Sequence, residues 1–383
     1  MDRQILRELV VKNALEVLQN VLPTNITEQL ERLDADEEEG DDRSNDLDED
    51  RFFYEFFTSQ TETPKIVVKQ ETNESNESLT YFQIVEQEMM EALPITKYNM
   101  DLLKLIIEDF GEITPNMLDT LNVPTIDQLT NIFLYSLMTN EDSKQTEETL
   151  ILCEGTVNKV LTMICAIIAQ KRDVFIHFPN GKEIQQNVRQ FERFTEFGEY
   201  EFYNVFGALG TTDFQIKPPL SKYLSVPATD GKNIMYTPIK WQCSCDVSGF
   251  LQSSLVLIPK KENETKNSYV FEMNPLKAKL EAIKTSEYYL VADGTLTLIP
   301  FLLTPHEKLL LHAEQHNRAL ESKRKIIDKT FDKIRSRFTI LNRIELRDAT
   351  SICNLVETIG ILHNFFLVQN DELYMAEFSY QAL

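Results

Sequence analysis

No stretch of this sequence stays apolar over the length needed to cross a bilayer, and its N-terminus lacks the basic-then-apolar pattern of a signal peptide. A membrane is therefore not an expected partner. Cysteine is sparse as well: five residues at uneven spacing suit a reducing compartment rather than a disulfide scaffold. The close pair Cys243 and Cys245 reads as two strand cysteines, since a metal knuckle would need further ligands nearby. Positive charge is short too. With 38 Lys and Arg against 61 Asp and Glu the net charge is -23, which argues against a protein that grips nucleic acid with its whole surface, because phosphate contacts need cations. Any DNA contact has to be local or delegated. What the chain does have is 383 residues, 42% of them hydrophobic, enough for a sizeable core and two or three compact units.

Residues 1–33 open with Ile5, Leu6, Leu9, Val10, Leu15, Val17, Leu18 and Val21 at broadly helical spacing, which predicts an amphipathic helix able to dock on the chain or on a partner. Residues 34–80 form an acidic and polar linker. Its first part, DADEEEGDDRSNDLDED, cannot bury apolar area and is expected to be disordered. The run RFFYEFF that follows has the look of a short motif that folds on a partner, or equally of a stray helix packed on the main body. Helical periodicity then holds over 81–172. Within it, Thr146 to Gln170 predicts a helix, a turn at Gly155 and a second helix opening at Thr156, a helix-turn-helix outline. The second helix carries one basic residue, Lys159, before Gln170, so packing explains it better than base reading.

The stretch from Tyr288 to Leu341 organises the rest. Tyr288, Tyr289, Leu290 and Val291 predict a strand closed by Asp293-Gly294, which delivers Asp293 to a sheet edge. Ile326, Ile327, Thr330, Phe331, Ile334 and Phe338 then share one helix face, with Asp328 on its border. Two carboxylates brought together from a strand and a helix are half of a divalent-metal site. The plain alternative is a turn cap at Asp293 and a solvated helix acid at Asp328.

Several rarer strings agree with the first reading. The segments ADGTLTLIPFLLTP, HNRALESKRKIIDKTFDKIRSRFTIL and GILHN resemble the catalytic core of PIF/Harbinger transposases and their domesticated nuclease-like derivatives. In that family a strand leads to a Leu-Leu-Thr-Pro loop, and a helix starting near Asn-Arg-Ala carries a glutamate ahead of an aromatic residue. Leu302 to Pro305, Asn317 to Ala319 and Asp328 to Phe331 keep that order. The resemblance covers roughly residues 125–370. It implies an α/β fold: an RNase-H-like DDE transposase core over 173–383, preceded by the helical domain (81–172) and the disordered acidic N-terminal region.

The resemblance also exposes departures. The family's first metal-binding aspartate lies in a strand of the form Gly-Ala-Ile-Asp-Gly-Thr, and here Gly207, Ala208 and Leu209 lead to Gly210. Asp213, three residues on, points to the opposite face of a regular strand. Lys266 and Asn267 stand where relatives carry His-Asp. Nucleases of this fold use two Mg²⁺ ions about 3.5–4 Å apart, and glycine offers no oxygen ligand. The remaining pair, Asp293 and Asp328, is expected to be vestigial as a catalytic and metal site, with no cofactor, or Mg²⁺ or Mn²⁺ in a residual nuclease. Asp246 has a turn role.

Arg318, Lys323, Arg324, Lys325, Lys329, Lys333, Arg335 and Arg337 make the helix around Asp328 the one strongly basic region, a candidate nucleic-acid or partner contact or a solvated face. The expected function is a domesticated nuclear protein that has lost nuclease chemistry and serves as an interaction module in a chromatin or transcription complex. Its implied partner is a Myb/SANT- or MADF-like protein that supplies DNA binding. A residual metal-dependent nuclease, and a transcriptional regulator acting through the acidic-aromatic N-terminal region, stand as alternatives.

Overall fold

A computed structural model of the chain describes residues 93–111, 113–193, 203–217, 219–227, 235–283, 288–306 and 313–375. The expected N-terminal helix, the acidic linker and the aromatic run lie outside the described residues.

The first half of the described chain is helical: α1 (Lys97–Gly111), α2 (Pro115–Leu121), α3 (Ile126–Met138), α4 (Ser143–Thr149), α5 (Thr156–Ala169), the short α6 (Arg172–Phe175) and α7 (Gly181–Arg193). Caps punctuate it as side-chain oxygens satisfy first-turn amides. Thr114 caps α2, Thr125 caps α3, and Asp142 with Gln145 forms a capping box on α4. α5 opens at Thr156 behind Gly155, whose φ of 79° is the left-handed conformation glycine adopts without strain.

The sheet follows. β1 (Val205–Ile216), β3 (Met235–Cys245) and β4 (Leu251–Leu257) form an antiparallel meander, with β2 (Val226–Pro227) paired to the start of β3. β5 (Tyr289–Val291) runs parallel to β1 on its other edge, and β6 (Leu302–Leu303) runs parallel to β5, so the main order is β4-β3-β1-β5-β6. Between β4 and β5 lie α8 (Asn267–Met273) and α9 (Pro275–Ile283). After β6 come α10 (Ala313–Arg337), α11 (Ala349–Val368) and α12 (Glu372–Met375).

β1 and β5 separate two layers, a register shift between Val205 and Gly207 bringing Phe206 onto the same face as Leu209. Phe206, Leu209, Leu290 and Ala292 face α7, α8 and α9, packing with Ile184, Val188, Phe271, Leu276 and Leu280. The opposite face carries α10 and α11, where Trp241 on β3 stacks near Phe331 of α10, their ring centroids 5.7 Å apart.

α11 corrects the expectation that no segment is apolar enough to span a bilayer. Ala349–Val368 passes by length and composition, yet 72% of its most apolar window is buried inside the protein. It is apolar on most sides because α5 covers one flank and β4 the other, as a core helix requires. Gly360 lets this contact close: a Cβ there would lie 3.2 Å from the Trp241 ring and 3.3 Å from Leu251.

Candidate functional site

The candidate site lies where β1, β5 and α10 meet. Ala208 of β1 pairs with Val291 of β5; Gly210 follows two residues later on one strand and Asp293 two residues later beyond the other. Gly210 faces α10 directly. A Cβ at this position would sit 3.0 Å from both Cγ1 and Cγ2 of Ile327 and 3.2 Å from Cε2 of Phe331. The helix therefore rests on the bare backbone of β1, and the space in which a β1 carboxylate would project is filled by Ile327 and Phe331.

Asp293 closes β5 with a local turn. Its Oδ1 accepts from the Thr295 amide at 2.7 Å and from the Thr295 hydroxyl, and Thr295 Oγ1 accepts in turn from Asn267 Nδ2 at 3.0 Å. That is an Asx turn built from Asp-x-Thr. Asn267 thus steadies the loop that holds Asp293.

Asp328 is engaged from its own helix. Arg324, one turn earlier, donates through Nη1 to Asp328 Oδ1 at 3.0 Å and lies 2.9 Å from Oδ2 through Nη2. The same guanidinium donates through Nε and Nη2 to Glu321 at 3.2 and 3.0 Å. The bonds from Arg324 hold Glu321 below the usual carboxylate range. At Asp328 burial outweighs the same partner and pushes the carboxyl up. Among the described residues, no group of three or more His, Cys, Asp or Glu side chains is arranged to hold a metal ion.

Asp213 lies on the other face of the sheet. Its Oδ2 meets Lys240 Nζ at 2.8 Å, while its backbone oxygen accepts from Arg335 Nη2 at 2.9 Å. The displaced acid is therefore tied to β3 and does not join Asp293 and Asp328.

The basic residues of α10 divide sharply. Lys323 is buried and donates to the Phe191 carbonyl at 3.0 Å. Lys333 is buried with its ammonium 4.7 Å from the centroid of the Tyr374 ring, and Arg337 donates to the Leu373 and Tyr374 carbonyls at 2.8 and 3.2 Å. These three cannot contact a partner, because a charge this deep needs its donors satisfied internally. Arg335 bonds Thr212 and stacks over Phe214, its guanidinium carbon 5.0 Å from the ring centroid. Arg318 pairs with Glu314 in the open. Of the eight candidate contact residues, Arg318, Lys325 and Lys329 are exposed.

The remaining rare strings are structural. Asn317 accepts from the His306 amide at 2.8 Å and donates to the His306 carbonyl at 3.0 Å, clamping the Leu-Leu-Thr-Pro loop to the start of α10. Asn364 clamps Leu251 in the same two-sided way, at 2.8 Å for each bond, and reaches the Phe175 carbonyl with its second donor at 2.8 Å. His363 bonds the Gly249 carbonyl at 3.0 Å through Nε2, which must carry the proton, so Nδ1 accepts from the Tyr374 hydroxyl at 2.6 Å. Asp246 caps its turn, accepting from Ser248 and Phe250.

Arg324 was legible as a basic contact residue and Asn267 as a polar departure near the site, but not as the partners of Asp328 and of the Asp293 turn. The Arg324 pairing could have been found from the spacing Glu321, Arg324, Asp328, which stacks three charges along one helix face. The sequence marked Asn267 as a departure from the resembling family, but its bond to Thr295, 28 residues away, is set by the fold.

Residues 212–364 are similar to the DDE superfamily endonuclease family, a match that begins just beyond Gly210, takes in Asp293 and Asp328, and ends at Asn364. No curated protein and no solved structure matches the chain.

Proposed function

We propose that this chain is a domesticated PIF/Harbinger-type derivative with an RNase-H-like core, which has no nuclease chemistry and serves in the nucleus as a protein-interaction module of a chromatin or transcription complex. The similarity of residues 212–364 to DDE endonucleases supports the coarse assignment. Strand order supports the finer one. A three-strand antiparallel meander continued by two parallel strands, in the order β4-β3-β1-β5-β6 with helices on both faces, is the arrangement expected of an RNase-H-like sheet.

The observation that carries the loss of chemistry is the seating of Ile327 and Phe331 on Gly210, 3.0 to 3.2 Å from where a Cβ would stand. In-line phosphodiester hydrolysis by two metal ions needs an acid that both ions share, and Mg²⁺ tolerates little departure from octahedral oxygen ligation. The residues present do not fit such a centre. The β1 position has no oxygen, Asp293 is bonded to Thr295, and Asp328 is bonded to Arg324. Asp328 is also one methylene shorter than the glutamate of relatives.

An acidic chain whose most basic helix keeps Lys323, Lys333 and Arg337 buried is a poor DNA-binding surface. That balance supports delegation of DNA contact to a Myb/SANT- or MADF-like partner. The test is a Mn²⁺- and Mg²⁺-dependent plasmid-cleavage assay with calorimetry on residues 81–383, together with direct titration against Myb/SANT and MADF domains. No cleavage and saturable binding of such a domain are expected. Cleavage by the native sequence that disappears in Asp293→Ala would overturn the reading.

A further inference from the structure

We propose that Arg324 is a resident counter-ion: its guanidinium permanently supplies, from within the chain, the positive charge that the acids at the β1/β5/α10 junction need. This inference rests on the preceding reading and adds the residue that makes the junction stable without a bound ion.

The geometry distinguishes Arg324 from an ordinary surface pair. Arg318 and Glu314, four residues apart on the same helix, have side chains 76% and 78% exposed, the setting in which a helical ion pair contributes little because water screens it. The Arg324 side chain is only 18% exposed. Its Nε, Nη1 and Nη2 are all engaged, and each of two carboxylates, Glu321 and Asp328, is met by two nitrogens within 3.2 Å. Planar two-pronged contact of this kind is specific to guanidinium, since an ammonium presents a single point charge. Asp293, two residues beyond the end of β5, adds its charge to the field at Arg324.

Removing the guanidinium would leave Glu321 and Asp328 facing each other with Asp293 nearby and no cation among them. The Glu321 and Asp328 side chains are 46% and 45% exposed, so water screens part of their repulsion and the loss is smaller than for a fully buried pair. Arg324 is therefore a positioning residue: it acts on the fold through the carboxylates and touches no reacting atom. A small divalent cation is the probe that can replace its charge, because carboxylates stripped of their partner are the hard oxygen ligands that Mn²⁺ accepts.

The test uses the full chain and measures Tm with and without Mn²⁺ at matched ionic strength. Arg324→Gln keeps a polar amide with two donors but is two bonds shorter and removes the charge, and Arg324→Lys keeps the charge without the fork. The native protein is expected to show no Tm response to Mn²⁺. Arg324→Gln should lose about 3 °C or more, a shift corresponding to roughly 1 kcal/mol in a domain of this size, and should regain much of it with Mn²⁺. The regain should vanish in Arg324→Gln combined with Asp328→Asn. Arg324→Lys should fall less and regain less, and it provides the same comparison if the Gln variant does not fold. A Mn²⁺-dependent rise in the native protein, an Arg324→Gln variant as stable as the native chain, or a destabilised variant indifferent to Mn²⁺ would each sink the proposal. Plasmid cleavage separates this failure from that of the functional reading: Mn²⁺-dependent cleavage by the native chain removes both, whereas an unresponsive Arg324→Gln in a non-cleaving protein removes only the counter-ion.

Discussion

At the scale of single residues, the site is decided by what Gly210 lacks. Gly210→Asp would add a Cβ 3.0 Å from two Ile327 carbons and place a carboxylate against Ile327 and Phe331. Overpacking alone costs roughly 1–3 kcal/mol, and an unpaired buried charge adds to it. Urea unfolding should show Gly210→Asp less stable by at least that amount, with part of the loss recovered when Ile327→Ala makes room. An Asp at 210 that leaves stability unchanged would mean that the helix can lift away from β1. His363 makes a different residue-scale prediction. It is fully buried, and burial lowers its pKa from the ordinary 6.5 to about 3. The unfolded chain therefore takes up a proton on this residue near pH 6.5 that the folded chain refuses until about pH 3. The stability conferred by neutral His363 is complete above pH 6.5 and declines as the pH falls through that window, by at most about 1.4 kcal/mol per pH unit. Equilibrium unfolding from pH 7 to 4 should show this slope in the native chain and a shallower one in His363→Gln.

At the scale of elements, side-chain amides do the joining. Asn364 on α11 fastens the first residue of β4 through both its amide and its carbonyl and also satisfies Phe175 at the end of α6. Asn364→Ala would leave the Leu251 N–H and two carbonyls unpaired in a buried setting, at roughly 1–3 kcal/mol for each group that finds no water. The expected result is a loss of about 3 kcal/mol or more, with faster hydrogen exchange at the Leu251 amide than elsewhere in β4. Uniform exchange along β4 would argue against a local clamp. The buried side of α10 was legible in its three- and four-residue spacing, because burial on one face imposes that period directly. The fate of its basic residues was not. Lys323, Lys333 and Arg337 look like surface cations in one dimension, and it is groups remote in sequence that meet them: the Phe191 carbonyl at Lys323, the Tyr374 ring and Met375 sulfur at Lys333, and the Leu373 and Tyr374 carbonyls at Arg337.

At the scale of the whole molecule, the chain closes on itself through Asp371. Its Oδ2 accepts from the Thr96 amide and hydroxyl, each at 2.9 Å, and from Asn99 at 2.7 Å, while Oδ1 caps Tyr374 at 2.9 Å. The start of the helical half is thereby tied to the last described helix, next to the Arg337 and Lys333 contacts with Tyr374. Hydrogen bonds to a charged acceptor contribute about 1.5–3 kcal/mol each, so Asp371→Ala is expected to lower Tm and to make residues 93–96, which lead into α1, more sensitive to limited proteolysis. Protection as strong as in the native protein would show that apolar packing alone holds the two halves together.

The sequence by itself determined the strand that leads to Asp293, the helix that carries Asp328, the turn at Asp246 and the opening of a helix at Thr156. Each of these follows from local rules: periodicity or turn chemistry. Only the tertiary structure decided which groups face one another. It set Ile327 and Phe331 on Gly210, turned Asp213 toward Lys240, placed Asn267 against Thr295, and buried an apolar helix that length and composition alone would allow to span a bilayer. The physical reason is common to all four: each is a contact between elements distant along the chain, and its energy comes from packing and desolvation that no single stretch of sequence contains.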